Sequence, residues 1–123
     1  MLISVITLAI AGLLISTSAE LAARGIVGPN AAVGIRIPSV SASMAAWQAG
    51  HRAARWWMHV AAVAFVATAV WVALDPEALS VAVGVGAIAG LVAVTVAAVV
   101  AHRAAVRATA DVSRDAASNP AAS

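Results

Sequence analysis

The chain has 123 residues, of which 63% are hydrophobic and 10% are charged, and its formal net charge is +2. A soluble domain carries about 25% charged residues, so this composition excludes an ordinary water-soluble globule and predicts a membrane protein. The small net charge does not favour nucleic-acid binding, and the sequence has no cysteine for disulfides or thiolate chemistry.

Three apolar segments are long enough to cross a bilayer, which requires about 20 residues. They cover residues 2–23, 56–74 and 79–101. None of them alternates strictly between apolar and polar residues, so they predict helices and not barrel strands. The first segment could also be a signal peptide cleaved after Thr17-Ser18-Ala19, but no Lys or Arg precedes it, and we expect it to be retained.

The arginines predict how these spans cross the membrane. Four arginines lie between the first two spans and three follow the third, whereas the charged residues between the second and third spans are Asp75 and Glu77. Because arginine collects in cytoplasmic loops, we expect the N-terminus outside, and the long loop and the C-terminus in the cytoplasm. The predicted fold is an all-α membrane protein with three transmembrane helices.

The first part of the long loop predicts a turn followed by extended backbone. Gly28-Pro29-Asn30 combines three residues that are typical of turns. Pro38 disfavours helical backbone at Ile37, so the residues before it are expected to be extended. This stretch is the least regular and most polar part of an otherwise apolar chain.

The second part of the long loop predicts a short amphipathic helix over residues 42–55. Trp47 and His51 fall on one of its faces, and Ser39 or Ser41 is the expected N-cap. No residue after His51 would break this helix, so it can continue into the second span.

The second and third spans are predicted to form a tight helical hairpin. Asp75 suits an N-cap and Pro76 suits the first position of the next helix. The third span then carries Ala82, Gly86 and Gly90 at intervals of four residues, a row that lets another helix approach closely. We expect that helix to be one of the chain's own spans, and the other possibility is a second copy or a different protein.

These segments divide the chain into two parts. Residues 1–108 predict a single membrane domain. Residues 109–123 predict a polar cytoplasmic tail that starts as a helical extension of the third span and becomes disordered.

The acidic residues do not form an arrangement typical of catalysis. Asp75 and Glu77 are expected on the opposite side of the membrane from most of the basic residues. Glu20 lies four residues before Arg24, which predicts a local ion pair at the membrane interface. The alternative for Glu20 is a functional acid within the membrane.

The three histidines, His51, His59 and His102, are all expected on the cytoplasmic side. A zinc site usually needs three or four ligands, and no cysteine or nearby acid completes one here. We therefore predict no metal, no cofactor and no catalytic residue, and we expect that the protein is not an enzyme.

A set of unlike residues follows a fixed order between residues 24 and 56. It consists of Asn30, Gly34, Arg36, Pro38, Trp47, His51 and Arg52. In this order the set resembles the SdpI family of small bacterial integral membrane proteins, and the chain looks like the C-terminal part of a longer member. It departs from the family pattern at Met44-Ala45-Ala46, where an acidic residue is expected. The resemblance implies that the set binds a partner or lipid headgroups.

The family also implies a class of function. Its best-known member is a longer immunity protein, which protects a toxin-producing cell and signals by holding a transcriptional repressor at the membrane. The resemblance therefore implies a non-catalytic protein of immunity, toxin resistance or signalling, which acts through its cytoplasmic loop. The alternative is a structural accessory subunit of a larger bacterial membrane complex, docked through the small residues of the third span.

Two kinds of partner are expected. Arg36, Arg52 and Arg55 should attract anionic lipid headgroups at the cytoplasmic surface. A protein partner or a second copy of the chain is expected within the membrane, and no nucleic acid.

Overall fold

A computed structural model describes residues 1–29 and 34–118. Its α-helices are α1 (Leu2–Ala23), α2 (Pro38–Ser41), α3 (Met44–Leu74) and α4 (Leu79–Ser118), and a 3₁₀ turn over Pro76–Ala78 precedes α4. Helices α1, α3 and α4 are long and apolar enough to cross a membrane. The prediction of an all-helical chain with three such helices is therefore confirmed for the described residues.

Helix α3 is the centre of the fold. Helices α1 and α4 each pack along α3, and within the described part of the chain no Cα atom of α1 lies within 8 Å of one in α4. Most large apolar side chains point outwards, including Leu14, Val63 and Leu91, each more than 60% exposed. This surface is typical of a protein that meets lipid, where association depends on close packing and not on removal of apolar surface from water.

Small residues form the contact between α3 and α4. The buried residues of α4 are Ala82, Gly86, Gly90, Ala93, Ala97, Ala101 and Ala105. A Cβ atom at Gly86 would collide with the hydroxyl of Thr68, and one at Gly90 would lie 3.1 Å from the ring of Phe65. The row of small residues thus packs against the chain's own second span, as expected.

The predicted amphipathic helix and the second span are one continuous helix, α3. Its N-cap is Ser43, whose hydroxyl accepts a hydrogen bond from the N–H of Ala46 at 3.1 Å. The prediction of Ser39 or Ser41 as the cap was wrong. Proline at the first helical position starts the separate turn α2, which ends at Ser41 and leaves Ser43 to cap α3.

The hairpin between α3 and α4 forms as predicted. The carboxylate of Asp75 accepts hydrogen bonds from the N–H groups of Glu77 and Ala78 at 3.2 and 3.3 Å. The first turn after this cap is a 3₁₀ turn, and α4 begins at Leu79.

Helix α4 extends well beyond the predicted third span. It reaches Ser118, so residues 109–118 form the helical extension with which the tail was expected to start. The physical reason is composition: this stretch is rich in alanine and has no glycine or proline to break the helix. Arg114 also pairs with Asp111 at 3.0 Å along its surface. The last predicted residues, 119–123, lie outside the described part.

Candidate functional site

The candidate site is the region that we call the cap, described residues 24–29 and 34–55. It begins where Gly25 ends α1 with a positive φ of 72°. The N–H of Gly25 bonds to the carbonyl of Ala22 at 3.1 Å, and that of Ile26 bonds to Leu21 at 3.0 Å. This pair of bonds is a Schellman motif, which satisfies the carbonyls at the end of α1 and turns the chain over the helix ends.

Trp47 anchors the first part of the cap. Its side chain is fully buried near the start of α3, and its indole Nε1 donates to the carbonyl of Val27 at 2.7 Å. Because a buried indole N–H needs a partner, this bond fixes the 24–29 segment against α3.

His51 anchors the second part of the cap. Its Nε2 accepts a hydrogen bond from the N–H of Ile35 at 2.9 Å, so this nitrogen carries no proton. The proton then lies on Nδ1, which donates to the carbonyl of Trp47 at 2.9 Å. Both nitrogens of this buried ring are therefore used to hold backbone.

Gly34 lies against the rings of Trp47 and His51. Its φ is 91°, a conformation that side chains disfavour. A Cβ atom here would also press against Nε2 of His51 and lie 3.1 Å from the ring of Trp47. Glycine, tryptophan and histidine thus meet at one point, which we call the cap joint (Gly34, Trp47 and His51).

Helix α2 ties the cap to α4. Val40 is fully buried, and a Cβ atom at Gly50 would lie 3.1 Å from its side chain and 3.2 Å from the carbonyl of Ala101. The hydroxyl of Ser39 is hydrogen-bonded to Nδ1 of His102 at 2.7 Å. The cap therefore rests on all three long helices.

The order and spacing of the cap residues have a match among known families. The model of the SdpI/YfhL protein family matches residues 26–102, which is more than half of the chain. The chain belongs to the SdpI/YfhL family. No curated protein and no solved structure matches it. The SdpI/YfhL region begins just after α1 and ends at His102, so it contains the described cap from Ile26 onward, the rest of α3 and the membrane part of α4.

The structure separates the SdpI/YfhL motif into buried and exposed residues. In the cap joint, Trp47 and His51 are buried and Gly34 is partly buried, whereas Arg36 and Pro38 are exposed. Arg52 is also exposed, and it donates to the carbonyl of Ala23 at 3.2 Å, so it helps to close the end of α1. Asn30, the remaining motif residue, lies outside the described residues. Ala82, Gly86 and Gly90 lie along α4, away from the cap.

A second polar group, which the sequence did not reveal in full, lies between α1 and α3. We call it the α1–α3 cluster (Ser16, Glu20, Arg24 and His59). Arg24 Nε donates to Glu20 Oε2 at 3.1 Å, which confirms the predicted ion pair. Nε2 of His59 lies 2.9 Å from Glu20 Oε1, and Nδ1 of His59 lies 3.0 Å from the hydroxyl of Ser16.

The cluster joins the SdpI/YfhL region to the helix before it. Ser16 and Glu20 lie ahead of the matched residues, whereas His59 lies within them. Ser16, His59 and Glu20 are hydrogen-bonded in the same sequence as the serine, histidine and acid of a hydrolase triad. However, the backbone N–H groups around Ser16 lie inside α1 and cannot stabilise an oxyanion. The geometry instead suits the association of two helices in lipid.

The histidines do not come together. His51 belongs to the cap joint, His59 to the α1–α3 cluster, and His102 contacts Ser39. Within the described residues, no three acidic or histidine side chains are placed to hold a metal ion.

Proposed function

We propose that this SdpI/YfhL protein is a non-catalytic, multi-pass protein of the bacterial plasma membrane whose cap binds a protein partner in the cytoplasm. Its setting would be immunity, toxin resistance or signalling. The observation that carries the proposal is the cap joint. Its buried rings, Trp47 and His51, form hydrogen bonds to the backbone, and these bonds hold the surface around Arg36 and Pro38 in one shape.

The hydrogen bonds of the cap support binding through its outer surface. The polar side-chain atoms of Trp47 and His51 form hydrogen bonds with the backbone of Val27, Ile35 and α3. Among the described residues, every buried side-chain nitrogen or oxygen has a hydrogen-bond partner. The buried motif residues therefore hold the shape, and we assign partner contact to Arg36 and Pro38 on the exposed side.

The distribution of charge supports a cytoplasmic cap. The cap carries Arg24, Arg36, Arg52 and Arg55, and the contact of Ser39 with His102 brings Arg103 to the same end. Asp75 and Glu77 lie at the far end of α3. The positive-inside rule then favours a cap in the cytoplasm, where its arginines also attract anionic lipid headgroups.

The burial of the small-residue row weakens the alternative of a docked accessory subunit. That alternative used Ala82, Gly86 and Gly90 as its contact surface, and these residues are buried against α3. A second subunit could reach this row only by displacing part of the chain's own fold.

Single cysteines can test the orientation, because the natural sequence has none. Pro38→Cys places a thiol on the cap, and Glu77→Cys places one on the hairpin, with both parent residues exposed. In intact bacterial spheroplasts, a membrane-impermeant maleimide should label Glu77→Cys at once and Pro38→Cys only after permeabilisation. The reverse order of labelling would contradict a cytoplasmic cap.

The same cysteine can test partner binding. The Pro38→Cys variant is modified with a photo-crosslinker in inverted membranes and supplied with cytoplasmic extract. It should give a discrete protein adduct, and the double variant Pro38→Cys/Arg36→Ala should not. Gly84→Cys is the matched control, since position 84 faces open space on α4. Equal adducts from both cysteines, or an adduct that survives Arg36→Ala, would argue against recognition by the cap.

A further inference from the structure

A groove of about 450 Å³ runs between the outward faces of α1 and α3. Its walls include Gly12, Leu13 and Ser16 from α1, and His59, Val63 and Ala67 from α3. The surface of the groove is apolar except at Ser16 and His59, which close one end. The groove is separate from the cap joint, and nothing in the proposed function uses it.

Both walls become more polar in the same direction. On α1, residues four apart read Gly12, Ser16, Glu20 and Arg24. Each step along this row rises by about 6 Å, so the row covers about 18 Å of the bilayer. The order is apolar, then hydroxyl, then charged.

The facing row of α3 shows the same gradient. It reads Ala67, Val63, His59 and Arg55 towards the cap. The guanidinium of Arg55 lies 5.2 Å from the ring centre of Trp56, which is 67% exposed. Tryptophan prefers the membrane interface, so this end of the groove is expected at the depth of lipid headgroups.

We propose that the groove binds one membrane phospholipid. An acyl chain lies against Gly12, Val63 and Ala67, the ester groups lie beside Ser16 and His59, and the phosphate lies at Arg24 and Arg55. This site goes beyond the general attraction of anionic headgroups to cytoplasmic arginines, because it takes a single lipid in a fixed position. Its phosphate end uses Arg24 and Arg55 of the cap, but none of its residues is one to which we assign partner contact.

The charges at the polar end complement a phosphate. Arg24 and Arg55 contribute two positive charges and Glu20 one negative charge, which leaves an excess of positive charge. Guanidinium groups suit phosphate because they donate several hydrogen bonds in one plane. The side chain of Arg24 is 69% exposed while its Nε holds Glu20, so a headgroup can approach it.

The size of the groove is sufficient for one hydrocarbon chain. The nine residues of α3 from His59 to Ala67 extend about 12 Å. The groove has a volume of about 450 Å³ and is open on its outer side, so one acyl chain can lie along it.

The test is a lipid titration of the purified, delipidated chain followed by native mass spectrometry. Phosphatidylglycerol should give one saturable adduct. Diacylglycerol with the same chains, which lacks the phosphate, should bind at least 10-fold more weakly. Ala67→Phe should fill the groove and weaken phosphatidylglycerol binding at least 10-fold, whereas Ala87→Phe, at an exposed position of α4, should leave it unchanged.

The headgroup contact is tested at Arg55. Arg55→Gln should weaken binding of phosphatidylglycerol about fivefold, and Arg55→Lys should restore most of it. Circular dichroism and gel filtration of each variant establish that the fold is retained. Unsaturable binding, equal binding of diacylglycerol, or equal effects of Ala67→Phe and Ala87→Phe would each overturn the proposal.

Discussion

The cap joint and the α3–α4 contact hold the same chain together by different means. In the cap joint, the large side chains of Trp47 and His51 are buried and bond to loop backbone. In the α3–α4 contact, alanine and glycine bring two helices together, and Thr68 bonds only to its own helix, at the carbonyl of Ala64.

The difference follows from what each backbone needs. A helix satisfies its own N–H and C=O groups, so two helices in lipid need only matching shapes. The irregular backbone of the cap has N–H and C=O groups to satisfy, such as the N–H of Ile35 and the carbonyl of Val27. Large polar side chains are therefore concentrated where the chain leaves the helical conformation, and small residues are concentrated where α3 and α4 pack side by side.

The largest expected effect comes from removing the anchor of the cap. Trp47→Ala should destabilise the protein by about 3–5 kcal/mol, because it empties a buried site and leaves the carbonyl of Val27 without its donor. Unfolding in SDS mixed micelles, followed by circular dichroism, measures the loss. Trp57→Ala is the matched control, since that ring is 40% exposed. Equal losses for both variants would show that the cap joint has no special role.

The second prediction addresses the α3–α4 contact. Gly86→Leu should lower the free energy of unfolding by at least about 1–3 kcal/mol. Even the Cβ of the new side chain collides with Thr68, so the two helices must separate. The same change at Gly84 should have little effect, since nothing lies within 4 Å of a Cβ there. The SDS unfolding assay gives both values. A neutral Gly86→Leu would mean that the two helices do not need close contact.

The sequence predicted the regular parts of this fold well. The length and apolar composition of the spans indicated three helices, and Asp75-Pro76 indicated the hairpin. Glu20 and Arg24 were paired correctly because they lie one helical turn apart. The helical start of the tail was predicted, but its extent to Ser118 was not, because polar composition was given more weight than the helix propensity of alanine.

The long-range contacts could not be predicted in the same way. The role of His51 depends on the positive φ of Gly34, 17 residues earlier. The contact of His59 with Glu20 depends on the rotation of α1 about its axis. Helix α1 is mostly apolar, with a mean hydropathy of 2.1 over its most apolar 18 residues, and its row of Ser16 and Glu20 is too short to indicate from the sequence which face meets α3.

The α1–α3 cluster is intermediate between the cap joint and the α3–α4 contact, because polar side chains there join two regular helices. It supplies the smallest expected effect. Ser16→Ala removes one hydrogen bond, to Nδ1 of His59, and leaves the bond of His59 to Glu20 in place. Side-chain hydrogen bonds between helices in lipid contribute about 0.6 kcal/mol on average, because the separated helices also find partners. Unfolding in SDS should therefore show a loss of about that size. Thr95→Val is the control, since the hydroxyl of Thr95 bonds within its own helix to Leu91. A loss above about 1.7 kcal/mol, the upper end for such bonds, would show that Ser16, His59 and Glu20 stabilise the fold as one coupled unit.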